Sequence, residues 1–139
     1  MITATPALTN GILGGWAIVN GTDFAGYRST VDAATGAVGV GALGLNPITG
    51  LGSTLALPFG NYSLNAITVG TATDNISIAA SPAILTSRTI NSLRINAAST
   101  VTMTPGNTLT LGTGGLLTSV GTSVITQDRI RINQEIITR

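Results

Sequence analysis

Short stretches of strict period-two alternation constrain this protein more than any other feature. Ile76-Ser77-Ile78, Leu93-Arg94-Ile95, Val101-Thr102-Met103, Leu109-Thr110-Leu111 and Ile130-Arg131-Ile132 all place an apolar residue on either side of a polar one. A backbone that sends successive side chains to opposite faces turns this pattern into one buried face and one solvent face. The β-branched residues that dominate these stretches fit a pleated surface. No segment carries an i, i+3, i+4 apolar stripe bounded by caps, so the pattern predicts an all-β fold with little helix. Punctuation agrees. Pro105-Gly106 and the pairs Asn10-Gly11 and Asn20-Gly21 carry turn chemistry, because Asn and Gly tolerate the left-handed backbone that tight turns require.

Spacing suggests which all-β form. Asn61, Asn75, Asn91 and Asn107 each open a short alternating segment, at intervals of 14, 16 and 16 residues. Loose self-similarity of this kind is the mark of stacked coils, in which recurring asparagines can ladder their amides from one layer to the next. The expected fold is therefore a right-handed parallel β-helix (a β-solenoid) over residues 1–139 as a single domain, with a β-sandwich as the alternative. Within it, residues 1–60 are irregular and rich in Gly and Ala, and residues 61–126 are the regular coils. Residues 127–139 form a charged terminal cap or assembly segment. That last stretch holds Asp128, Arg129, Arg131, Glu135 and Arg139, a concentration of charge found nowhere else in the sequence.

Composition excludes most chemistry. Only 8% of the 139 residues are charged, there is no Cys or His, and all six basic residues are arginines. Without His or Cys there is no Ser-His-Asp or Cys-His machinery and no Cys/His zinc site. Without Lys there is no Walker A loop and no Schiff base. Six scattered cations make no basic stripe for phosphates, so no nucleic-acid partner is expected. Gly39-Val40-Gly41-Ala42-Leu43-Gly44 matches a dinucleotide fingerprint in letters, but Asn46-Pro47 follows where a helix should begin. It reads as a glycine-rich turn region. The carboxylates Asp23, Asp32, Asp74, Asp128 and Glu135 show no converging pattern, and Asp23 reads as a turn residue capping its own backbone. No catalytic residue, metal ligand or cofactor is expected, and the protein is read as a non-enzyme.

Residues 1–7 lack a basic and an apolar region, so they are not read as a signal peptide. Mean hydropathy is high at +0.45, yet Gly, Asn or Pro interrupts every apolar run before it reaches spanning length. A transmembrane barrel is disfavoured by the 4% aromatic content, too low for two interfacial girdles, so no membrane insertion is expected.

Two stretches are similar to a known family. Ile12-Leu13-Gly14-Gly15-Trp16-Ala17-Ile18-Val19-Asn20-Gly21-Thr22-Asp23-Phe24-Ala25 resembles a segment of bacterial surface proteins with autotransporter-associated β-strand repeats. Residues 90–96, followed by 107–117, resemble another part of the same repeat. The resemblance implies a right-handed parallel β-helix that is secreted or displayed at the cell surface, and it supplies no catalytic residues. Family members are usually far longer, and the segment from Gln127 onward does not look like the repeat.

The functional expectation is an extracellular or bacterial cell-surface structural or adhesive protein, self-assembling head to tail into a homopolymeric filament. The alternative is a carbohydrate-binding or polysaccharide-processing module of a larger surface protein. The residues proposed for assembly or surface-glycan contacts are Trp16, Phe24, Tyr27, Arg129, Arg131 and Glu135.

Overall fold

The computed structural model of the protein describes residues 4–44, 57–112, 115–118, 124–126 and 130–132. Strands form wherever the alternation is found, and no helix occurs among the described residues. The first sheet is antiparallel. Strands β1 (Ile18–Val19), β2 (Asp23–Arg28) and β3 (Gly39–Ala42) lie side by side in sequence order. The β1–β2 connection is the Asn20-Gly21 turn, with φ of 55° and 72° and a bond from the Thr22 N–H to the Val19 carbonyl at 3.1 Å. Two successive positive φ values mark the turn type whose twist matches that of paired strands, and Asn-Gly is its favoured sequence. Across β2 and β3, Gly26 is paired with Gly41, and Phe59 occupies the space their missing side chains leave.

The remaining strands are parallel and fall into three sheets. The first contains β4 (Asn75–Ile78), β7 (Ser92–Ile95) and β10 (Leu116–Thr118). The second contains β5 (Ala83–Ile84), β8 (Thr100–Met103) and β11 (Val124–Thr126), and the third β6 (Arg88–Ile90), β9 (Leu109–Leu111) and β12 (Ile130–Ile132). In each sheet the latest strand in sequence is an edge, and the middle strand is β7, β8 or β9. Registers align like with like over most rows. Ile76 pairs with Leu93 and Leu93 with Leu116, while Ser77 pairs with Arg94 and Arg94 with Leu117.

The three parallel sheets share one apolar core. Ile76, Ile78, Leu93 and Ile95 come from the first sheet, Ile84, Val101 and Met103 from the second, and Ile90, Leu109 and Leu111 from the third. A second, smaller core of Ile12, Phe24, Leu43 and Tyr62 belongs to the antiparallel region, and Leu117 packs against it. Leu117 lies in the Ser77–Arg94–Leu117 row, so the antiparallel region covers the outer face of the first parallel sheet. The segment holding Gly15 reaches as far as Gly115, where a side chain would strike the Gly15 carbonyl.

The all-β expectation therefore holds in its broad form, but a right-handed parallel β-helix over all 139 residues is not what the strands build. They are two to six residues long and gather into four small sheets, one of them antiparallel, without forming a solenoid or a closed barrel. The β-sandwich alternative fails as well, since nine of the twelve strands among the described residues pair in parallel. The antiparallel sheet arises within residues 4–44. Their Asn-Gly turns reverse the backbone directly, and a direct reversal commits the flanking segments to antiparallel pairing.

Candidate functional site

The most organised cluster of polar side chains lies where the antiparallel region meets the first parallel sheet. Arg94 projects from the middle of β7, away from the main core, and its side chain is only 7% exposed. Its Nε donates to the Thr22 carbonyl at 2.7 Å and lies 3.2 Å from Asp23 Oδ1, and its Nη1 donates to Ser77 Oγ at 3.1 Å. The guanidinium also sits 5.5 Å from the centre of the Tyr62 ring, within cation–π range. The Tyr62 hydroxyl accepts from the Phe24 N–H at 3.1 Å and donates to Asp23 Oδ1 at 3.4 Å. Burial drives the Tyr62 hydroxyl far above its ordinary pKa, the Phe24 N–H opposes this, and the Asp23 carboxylate adds to it. The phenol is therefore a fixed neutral hydrogen-bonding group. Asp23 receives a further bond from the Thr22 hydroxyl at 2.9 Å, so its role is to hold Arg94 rather than to cap its own turn.

A second polar group adjoins it. Asn75 Oδ1 accepts from Asn91 Nδ2 and from Ser92 Oγ, both at 2.7 Å. Asn75 Nδ2 donates to the Asn10 carbonyl at 2.6 Å, and Asn10 Nδ2 donates to Asn91 Oδ1 at 3.0 Å. The expected amide pairing between recurring asparagines is present for Asn75 and Asn91. Asn61 instead accepts from the Leu57 N–H, and Asn107 donates to the Leu85 carbonyl. Asn75→Ala removes the acceptor shared by the Asn91 amide and the buried Ser92 hydroxyl, and the expected cost is about 2 kcal/mol, read from chemical denaturation.

Asp74 closes the turn before β4. Partial burial pushes its pKa upward, but the bonds it accepts from Asn65, the Thr71 N–H, Ser63 and the Thr71 hydroxyl outweigh that and hold it below the ordinary carboxylate value. Asp32 is lowered too, first by the Thr35 hydroxyl and N–H. A depressed folded-state pKa contributes stability that is complete above the unfolded value and disappears as pH falls through the folded one. The melting temperature is therefore expected to fall below about pH 4, the ordinary carboxylate range. Asp74→Asn is expected to lower the melting temperature near neutrality and to flatten that acid limb, as thermal melts at stepped pH would show.

The aromatic residues expected from sequence as contacts stand in different environments. Trp16 is 72% exposed and borders an apolar hollow of about 530 Å³ with Pro6, Leu13, Ile18 and Val40. Phe24 is fully buried in the smaller core, and Tyr27 is half-buried on β2 opposite Val40, so the three aromatics form no common platform. The backbone of Arg131 lies in β12, opposite Thr110. Arg129 and Glu135 lie outside the described residues. Gly39-Val40-Gly41-Ala42 is a strand, and no helix follows it among the described residues.

Sequence reasoning missed Arg94 and Tyr62. The alternation at Leu93-Arg94-Ile95 correctly sends Arg94 off the core face, but it assigns that face to solvent. An arginine is an unusual choice for mid-strand in a protein with only six cations, and that scarcity was the one available signal. The arrangement as a whole holds two sheets together. No protein-family description, curated protein or solved structure matches the sequence.

Proposed function

We propose that this protein is a structural or adhesive component of the bacterial surface or extracellular space, and that it assembles head to tail with further copies of itself. The observation that carries the reading is the end formed by β10, β11 and β12. Among the described residues no strand pairs with the outer edge of any of the three. The inward-facing row there changes from buried to exposed: Ile76 and Leu93 are covered, whereas Leu116 is 37% exposed. Unpaired strand edges beside uncovered apolar residues are a template for another copy, and a contact that joins unlike surfaces of identical copies propagates into a filament. Low charge and the lack of reactive side chains suit such a role, as does the resemblance to autotransporter-associated repeats.

A second reading, a glycan-binding module, is favoured by the exposure of Trp16, since an indole face is a common seat for a sugar ring. A glycan array distinguishes the two. Sedimentation velocity over a wide concentration range tests the first reading. The wild-type protein is expected to form concentration-dependent species larger than a monomer, and Leu116→Lys, which places a charge at the open edge, is expected to remain monomeric while still folding cooperatively. A wild-type monomer at the highest concentration sinks the proposal.

A further inference from the structure

Two Asn-Gly dipeptides occupy the same kind of turn in this protein, and only one of them is held by its asparagine amide. Asn10 and Gly11 have φ of 49° and 86°, and Asn20 and Gly21 have 55° and 72°. In the first turn Thr9 and Ile12 exchange both backbone bonds, at 2.8 and 3.2 Å. In the second the Thr22 N–H bonds to the Val19 carbonyl. The amides differ. Asn10 Nδ2 donates to Asn91 Oδ1 at 3.0 Å and approaches the Ala72 carbonyl at 3.5 Å, while the Asn10 carbonyl accepts from Asn75. Asn10 and Asn20 are both exposed, but the Asn20 amide makes no hydrogen bond among the described residues. Gly11 and Gly21 are equally open, with no atom near the position a side chain would take, so the amide bonds are what separate the two turns.

We propose that Asn20 is a site of spontaneous deamidation and that the fold shields Asn10 from the same reaction. Water is the only co-reactant. The Gly21 backbone nitrogen, giving its proton to base, attacks the amide carbon (Cγ) of Asn20. A new bond forms between that nitrogen and Cγ, and the Cγ–Nδ2 bond breaks to release ammonia, leaving a cyclic imide. Water then opens the imide at either carbonyl, giving aspartate or isoaspartate. The net change is amide plus water to carboxylic acid plus ammonia, with no oxidation or reduction. At Asn10 the attack requires the amide to leave its bonds to Asn91 and Ala72 first.

The modified position matters because of its neighbours. Isoaspartate inserts a methylene into the backbone at residue 20, inside the turn that sets the Val19–Asp23 pairing. Asp23 is the carboxylate partner of Arg94. Deamidation therefore loosens the turn-side anchor of the join between the two sheets, and aged protein is expected to melt at a lower temperature than fresh protein.

The test is peptide mapping by mass spectrometry after incubation at mildly alkaline pH, on native protein and on protein held in urea. In the native sample Asn20 is expected to convert about fivefold faster than Asn10 or more, the factor that one retained hydrogen bond is worth. In urea the two rates are expected to approach parity, since both sites are the same dipeptide. Native rates that are already equal overturn the proposal. So does a native Asn20 that stays intact while the urea sample converts at both sites.

Discussion

Replacing Arg94 with alanine is expected to destabilise the fold by about 3 kcal/mol or more, the range for removing one partner of a buried ion pair. The guanidinium links four groups from three segments: the Thr22 carbonyl, the Asp23 carboxylate, Ser77 on the adjacent strand and the Tyr62 ring. Without it the Asp23 carboxylate lies beside a buried phenol with only the Thr22 and Tyr62 hydroxyls as donors. Urea denaturation of the variant measures the loss. A double variant with Asp23→Ala is expected to cost clearly less than the two single changes added together, because each single change already removes the contact between the two side chains. Additive costs would show that Arg94 acts through packing alone.

Leu93→Ala, one residue earlier, is expected to cost about 3 kcal/mol by a different route. Leu93 is fully buried in the middle strand of its sheet, between Ile76 and Leu116, and it belongs to the large core. Neighbours on middle strands cannot easily collapse into the gap, so the cavity term adds to the lost transfer energy. The urea midpoint should fall with an unchanged slope, the mark of a stability loss without a change in the unfolded state. Leu93 and Arg94 are adjacent in sequence and face opposite sides of one strand. Finding both variants strongly destabilised requires that both faces of β7 be covered, by the large core on one side and the antiparallel region on the other. An Arg94→Ala variant within about 0.5 kcal/mol of wild type would return that face to solvent, the range typical of surface changes.

Sequence periodicity made the strands legible and left their assembly open. The Ile-Ser-Ile and Leu-Thr-Leu triplets fall in β4 and β9, and their apolar members are core residues, because period two is a local property of an extended backbone. The Asn-Gly pairs are turns for an equally local reason, the left-handed φ values they adopt. Pairing partners are a different matter. Whether Ser92 lies beside Asn75 is decided by backbone returns of variable length, and a period averaged over four asparagines overstates their regularity. Asn75 and Asn91 meet through their amides, whereas Asn61 accepts from the backbone of Leu57 close by in sequence and Asn107 donates to the distant Leu85 carbonyl.

The candidate join at Arg94 was illegible for a related reason. Its partners Thr22, Asp23 and Tyr62 lie far away in sequence, and none belongs to a recognisable motif. Trp16, Phe24 and Tyr27 are close in sequence but follow the strand alternation and the turn to different environments. Proximity along a strand places neighbouring residues on opposite faces, whereas pairing across strands places distant ones together.

Amide hydrogen exchange of β10, β11 and β12, followed as protein concentration is raised, tests assembly through the open end most directly. An edge strand exposes half of its backbone amides to solvent, and pairing with another copy withdraws them. Self-assembly is expected to slow exchange at residues 116–118, 124–126 and 130–132 with increasing concentration, while the already paired β7, β8 and β9 stay as they were. Exchange at those edge strands that does not change with concentration would contradict head-to-tail assembly and leave the glycan reading of Trp16 as the one to pursue.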